Sequence, residues 1–174
     1  LKLVVIVTGL CFAIGLGSAL LMNLRFRGRA AARLLAALPW AIPEVVAVVV
    51  WWWIFDSSFG VLNWALVTLG VAARRGAWFS SGLSAFSVVV VVMVWEGYPF
   101  VFVMLLAGLQ SIPQELYEAA KVDGATAWQR FRHVTLPLMR PVILSVLLLG
   151  IIYTFKAFDV VYVMTGGGPV DATT

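Results

Sequence analysis

Glu96 is the side chain whose surroundings in the sequence most directly predict binding chemistry. It lies in the segment WEGYPF at positions 95–100, in the middle of a strongly apolar stretch. Pro99 lacks a backbone donor and clashes with the carbonyl of Trp95, and Gly97 weakens a helix further, so we expect a break here. Backbone carbonyls that lose their helical hydrogen bonds at such a break are tolerated within a membrane only beside protein or a water-filled cavity. Glu96 is therefore predicted to mark a solute path, with a structural ion pair as the alternative.

The other reactive residue types exclude most enzyme chemistry. Cys11 and His133 are the single Cys and the single His of the chain, too few for a multi-ligand thiolate or imidazole metal site. None of Lys2, Lys121 and Lys156 follows a Gly, so the chain has no G-x-x-x-x-G-K-[ST] phosphate-binding loop. No nucleophile is paired with a base. We expect no enzyme activity, cofactor or metal on this chain.

The composition is that of an integral membrane protein. Hydrophobic residues make up 63% of the chain, against roughly 45–50% in soluble domains, and the mean hydropathy is +1.02. The net charge of +4 comes from arginines beside apolar segments. Because they form no basic stripe with interleaved aromatic residues, nucleic acid is not the predicted partner.

Four apolar segments are long enough to cross a bilayer at roughly 20 residues each. They are span A (about Leu3 to Met22), span B (about Leu35 to Phe55), span C (about Leu83 to Leu106) and span D (about Leu138 to Val161). In span A, Gly9, Ala13 and Gly17 recur at four-residue spacing, which predicts close helix packing. The predicted fold class is an all-α polytopic transmembrane bundle.

Span B and the loop after it carry irregular features. Pro39 and Pro43 predict a kinked entry, where Glu44 is costly unless it faces protein or water. Three consecutive tryptophans near the other end are typical of an aromatic belt at the membrane surface. From Asp56 to about Gly82 we predict an external loop. Val61 to Leu69 within it is too short to span and is predicted to form an interfacial helix.

The longest polar interval between apolar segments runs from Glu115 to Pro141. Ser111 is predicted to cap a first helix that begins near Pro113. The pair Asp123-Gly124 then reverses the chain, because Gly tolerates a positive φ and Asp caps the helix that follows.

A second short helix is predicted after the reversal, from about Ala125 to His133. Pro137 and Pro141 are expected to end it and to begin the next span. The alternative for the whole interval is an ordinary amphipathic loop on the lipid headgroups.

The basic residues are distributed unevenly about the four spans. On the side of the polar interval lie Arg25, Arg27, Arg29, Arg33, Lys121, Arg130, Arg132 and Arg140. On the other side lie Lys2, Arg74, Arg75 and Lys156. Because loops rich in Lys and Arg stay in the cytoplasm, the polar interval is predicted to be cytoplasmic and both visible ends external.

The polar interval resembles the EAA loop of binding-protein-dependent ABC importer permeases, whose form is roughly E-A-A-x-x-D-G-A, an aromatic residue, a hydrophobic residue and L-P. The matching residues are Glu118, Ala119, Ala120, Asp123, Gly124, Ala125, Phe131, Val134, Leu136 and Pro137. Positions 95–113 and the sequence TGGGP at 165–169 resemble the carbohydrate branch of that family, the maltose and glycerol-phosphate type. The resemblance covers most of the chain.

The resemblance implies a single permease domain over residues 1–174, of the MetI-like type I importer fold with usually six spans. One span before span A and one after the chain are then expected. A cytoplasmic coupling loop would occupy residues 107–137. The implied partners are a second permease subunit, two ATPase subunits that hold ATP and Mg, an extracytoplasmic sugar-binding protein, a sugar and membrane lipid.

The resemblance also implies two sets of site residues. The residues implied to couple to the ATPase are Glu118, Ala119, Ala120, Asp123, Gly124, Ala125, Trp128, Phe131, Leu136 and Pro137. The residues implied to line the substrate path are Met93, Glu96, Gly97, Phe100, Tyr153, Thr154 and Ala157. Glu96 departs from the mostly neutral residues expected there, and pairing with Lys156 is its alternative role.

Two other functions stay open. A permease for an amino acid, a peptide or glycerol phosphate would keep the EAA loop, but not the flanking W-x-G-x-P and TGGGP stretches. A membrane scaffold or channel subunit would not need the Asp123-Gly124 reversal. The sequence therefore favours a sugar importer of the cell membrane, and leaves open which sugar and whether the partner permease is a second copy.

Overall fold

The computed structural model describes residues 1–24, 26–71, 76–157, 160–161 and 164, and in these ranges its regular elements are all helical. In chain order they are α1 (Lys2–Asn23), α2 (Arg29–Ala37), a 3-10 helix (Leu38–Ala41), α3 (Glu44–Ile54), α4 (Val61–Thr68), α5 (Gly82–Gln110), α6 (Gln114–Val122), α7 (Ala127–Arg130), a π-helical turn (Phe131–Thr135) and α8 (Leu136–Lys156). The predicted all-α fold is confirmed. Arg25, Arg74, Arg75 and residues 165–169 lie outside the described residues.

Helix α5 lies at the centre of the bundle, and α1 and α8 both pack on it. Its fully buried side chains include Val89, Val92, Phe102 and Leu105. The close approach of α1 is at Gly15, where an added Cβ would lie 2.6 Å from Cγ1 of Val101. Gly9 and Gly17 have no described residue of this chain within 4 Å, so packing at that stripe stays a prediction. Gly15 carries the backbone contact.

Span C is a single helix, α5, and the predicted break near Pro99 was wrong. Pro99 is buried within the helix packing, and an added Cβ on Gly97 would lie 3.1 Å from Sγ of Cys11. Gly97 thus lets α1 approach α5. A membrane segment that unwinds gains no water partners for its freed carbonyls, so a continuous helix that lacks one hydrogen bond is the less costly solution.

Span B is divided. The segment from Arg29 to Ala41 meets α3 at 94°, and Pro43 precedes α3 with an extended backbone. The predicted irregular entry is present, because Pro43 restricts Ile42 to extended geometry. Within the described ranges, three helices are long and apolar enough to cross a membrane, or four if the bent pair is one span.

The first half of the polar interval folds as two helices about a reversal. Ser111 donates to the carbonyl of Gly108 and closes α5, so its predicted role as the cap of the next helix was wrong. The reversal at Asp123-Gly124 is present, with Gly124 at φ +76°. The cap of α7 is Thr126, which forms a reciprocal capping box with Gln129.

Beyond α7 the chain does not break before the last span. The π-helical turn joins α7 directly to α8, giving a continuous 30-residue helix from Ala127 to Lys156. The prediction that Pro137 and Pro141 end the second short helix was therefore wrong. The π turn lies directly before Pro137 and changes the hydrogen-bond register of the helix there.

Candidate functional site

A central cavity of about 280 Å³ opens between α1, the 3-10 helix, the start of α3, α5 and α8. This volume is near the lower end of the range for small-molecule sites. The lining includes all seven residues that the resemblance assigned to the substrate path: Met93, Glu96, Gly97, Phe100, Tyr153, Thr154 and Ala157. The structure thus brings together residues from two helices that are far apart in the sequence.

Three aromatic rings form one wall of this cavity. The ring centroids of Trp40 and Phe100 are 6.1 Å apart, and those of Phe100 and Tyr153 are 5.7 Å apart with the planes at 78°. Each ring comes from a different element: the 3-10 helix, α5 and α8. Such a wall offers flat apolar surface to the C–H face of a ligand.

The polar groups of the cavity are few. Thr154 donates its hydroxyl to the carbonyl of Gly150 at 2.8 Å, which leaves its oxygen as an acceptor. The Oγ1 atom of Thr8 is buried and has no hydrogen-bond partner among the described residues. An unpaired buried hydroxyl is unfavourable, so a ligand atom or a water that bonds it would be stabilised there.

Glu96 is half-buried on α5, and its acidic neighbour is Glu44 in the first turn of α3. Lys156 is exposed and does not line the cavity. The structure therefore places a second carboxylate in the cavity that Glu96 lines, rather than the lysine considered from the sequence.

Thr8, Trp40 and Glu44 line the cavity but were not predicted as site residues. Glu44 had a signal, since a carboxylate at the entry of an apolar span must face protein or water. No such signal marked Trp40, which follows an ordinary proline, or Thr8, a threonine in an apolar helix. Their positions depend on the sharp bend of span B and on the packing of α1.

The residues predicted to couple to an ATPase form a second surface, on α6, α7 and the start of α8. Seven of them are exposed: Glu118, Ala119, Asp123, Gly124, Trp128, Leu136 and Pro137. Ala120, Ala125 and Phe131 are half-buried. Trp128 is 66% exposed and stacks on Phe131 with ring centroids 5.7 Å apart. The surface thus presents an aromatic pair beside small residues.

Side-chain hydrogen bonds fix this surface to the last span. The hydroxyls of Tyr117 on α6 and Thr135 are 2.9 Å apart, at the base of α8. Arg130 donates to the carbonyl of Ala125 at 2.6 Å, just after the reversal. A hollow of about 290 Å³ lies here, lined by Ala120, Asp123, Gly124, Ala125, Gln129, Arg130, His133 and Val134.

Residues 9–174 match the model of the family described as "binding-protein-dependent transport system inner membrane component". The chain belongs to this family. The permease is 44% identical over 161 residues to the trehalose/maltose transport system permease protein MalF of Thermococcus litoralis, covering 92% of this chain and 54% of that protein. It is 43% identical over 160 residues to the sulfoquinovosyl glycerol transport system permease protein SmoG of Agrobacterium fabrum, covering 92% and 51%.

Solved structures share the fold of this permease. A bacterial ABC transporter involved in import of the acidic polysaccharide alginate matches with a TM-score of 0.82 at 25% identity, over 98% of this chain and 61% of the other. The same type of transporter in complex with its alginate-pentasaccharide-bound periplasmic protein matches with a TM-score of 0.81. The chain spans about half the length of the curated relatives it matches.

Proposed function

We propose that this permease is a subunit of an ATP-driven sugar importer and forms half of the translocation path. The observation that carries the proposal is the central cavity, where α5 and α8 present seven residues expected of a carbohydrate permease around an aromatic wall. Membership of a binding-protein-dependent transport family and relatives named for sugar transport support it.

The chemistry of the cavity suits a saccharide. Phe100 and Tyr153 offer ring surfaces to sugar C–H faces, while Glu96 and Thr8 offer polar atoms to hydroxyls. In a partly enclosed site these hydrogen bonds are stronger than in water. The solute would lie between this cavity and the facing permease subunit, because Tyr153 of the α8 lining is 59% exposed.

The second surface would dock on a cytoplasmic ATPase subunit, which holds ATP and Mg. Helices α6 and α7 present an exposed helical pair with small residues, the arrangement required to enter a groove. Glu118 is exposed and available to pair with a basic residue of that partner. In this assembly the coupling surface faces the cytoplasm, and a sugar-binding protein delivers the solute from outside.

Sugar uptake by the assembled transporter in liposomes tests the proposal. Tyr153→Ala and Glu96→Gln should each reduce ATP-dependent uptake, with the ATPase subunits still bound. Ser145→Ala is the matched control, since Ser145 is exposed on α8 and donates only to the carbonyl of Pro141. Uptake that is unchanged in both cavity variants would place the solute path elsewhere.

A further inference from the structure

Two carboxylates line the central cavity, Glu44 at the start of α3 and Glu96 on α5. Every other lining residue in the described part of the chain is uncharged, and neither Lys nor Arg is among them. The part of the cavity wall that this chain supplies is therefore negative.

Resting on the proposed function, we propose that Glu44 and Glu96 select saccharides without acidic groups and reject uronates, sulfonates and phosphates. The solute class is then a neutral sugar whose hydroxyls donate to the carboxylates. The proposal rests on the lining of the whole cavity, including its aromatic wall and the unpartnered Thr8 hydroxyl, rather than on the two acids alone.

Glu44 lies in the first turn of α3, where the helix dipole favours a negative side chain. Even one proton shared between two interacting carboxylates leaves a net negative charge on the pair. An anionic group that approaches within about 5 Å of that charge in a partly buried site is disfavoured by roughly a hundredfold.

The shared fold does not itself decide the charge of the solute. The alginate importer carries an acidic polysaccharide with the same architecture, and the relative MalF is named for trehalose and maltose, which are neutral. The relative SmoG is named for sulfoquinovosyl glycerol, a sulfonated solute. Likeness to the family therefore does not decide the charge of the solute, and the proposal depends on the two carboxylates in the cavity of this chain.

The charge of the cavity is measured with thiol reagents of opposite sign. The background is the assembled transporter with Cys11→Ala and no other cysteine. In it, Ala157→Cys places a thiol in the cavity lining. Ser80→Cys, at an exposed position in a loop, is the control. Rates are compared for trimethylammonium-ethyl and sulfonato-ethyl methanethiosulfonate, each normalised to a free thiol. The cation-to-anion ratio should be about tenfold higher in the cavity, and Glu44→Gln or Glu96→Gln should lower it at least about threefold.

Protection by saccharides completes the test. Maltose should slow labelling of Ala157→Cys, and a disaccharide uronate of equal length should not, until both glutamates are replaced by glutamine. A charge ratio equal to that of the loop control, or equal protection by both saccharides, would overturn the selection by charge. Protection by neither saccharide would instead overturn the solute site, and with it the proposed function.

Discussion

Phe100 on α5 meets Tyr153 on α8 edge to face, with ring centroids 5.7 Å apart. Phe100 also approaches Trp40 of the 3-10 helix, at 6.1 Å. The three rings link elements from both halves of the chain across one cavity. Phe100 is the shared member, so its ring holds the other two in place.

The aromatic pair should be energetically coupled in transport. Edge-to-face pairs contribute about 0.5–1.5 kcal/mol beyond burial, so Phe100→Ala, Tyr153→Ala and the double variant should depart from additivity by roughly twofold to tenfold in uptake rate. Phe155→Ala is the control, because Phe155 is 64% exposed on α8 and does not line the cavity. Additive effects, or an equal loss in the control, would show that the rings act independently.

Charge reversal at Glu118 should weaken docking of the ATPase. Glu118→Lys places a positive charge where the proposal expects a basic partner, and like charges at an interface slow association and weaken binding. We expect co-purified ATPase to fall by about tenfold or more. Glu115→Lys makes the same change on the same helix at an exposed position outside the EAA pattern. Full ATPase recovery with Glu118→Lys would contradict the proposed contact.

A side chain at Gly15 should separate α1 from α5. Gly15→Val would drive methyl groups into Val101 and the backbone of Phe102, and overpacking of this kind costs about 1–3 kcal/mol. Gly17→Val adds the same side chain two residues along, where nothing lies within 4 Å. The thermal midpoint of the detergent-solubilised complex should fall only in the first variant. Equal midpoints would mean that the helices are not in close contact at Gly15.

The loop after α3 should depend on Asn63, which is 1% exposed. Its Nδ2 donates to the carbonyls of Asp56 and Gly76, and its Oδ1 accepts from the amide of Gly76 and from Nε1 of Trp78. Asn63→Asp removes both donors and turns two carbonyls toward a carboxylate, at a cost of about 1–3 kcal/mol per lost partner.

Limited proteolysis in that loop is the measurement for Asn63→Asp, which we expect to be cleaved faster than the parent. Asn23→Asp, at an exposed residue that ends α1, is the matched control. Equal protection of the loop in all three proteins would show that the side-chain amide is dispensable.

The orientation predicted from the basic residues is tested by labelling from outside. In a Cys11→Ala background, Ser57→Cys should react with an impermeant thiol reagent and Gln129→Cys should react only after the membrane is permeabilised. The two positions lie in the loop before α4 and on α7. The opposite labelling pattern would show that the predicted membrane orientation is reversed.

The sequence predicted the parts of this fold that depend on local composition. α1 and α8 follow from apolar length, and the reversal at Gly124 follows from a residue that tolerates a positive φ. The residues of the substrate path came from the family resemblance. Local pattern could not show that they share a cavity, because that depends on how α1, α5 and α8 pack.

The wrong predictions about helix breaks share a cause. Pro99, Pro137 and Pro141 were expected to interrupt helices, as they would in water. Each lies in a helix that continues: Pro99 is packed in the core, Pro137 follows a π turn, and Pro141 lies inside α8. Glu44 and Trp40 reach the cavity through a 94° bend whose sharpness no local propensity specifies.

The continuous helix from Ala127 to Lys156 has a mechanical consequence. Thirty residues span about 45 Å, so a tilt of about 10° imposed at Trp128 would move Tyr153 by several ångströms. The π turn lies near the docking end, and the α-helix from Leu136 to Lys156 follows it directly. This rigid segment would then act as a lever, which converts a small rotation at the coupling surface into a large displacement at the aromatic wall.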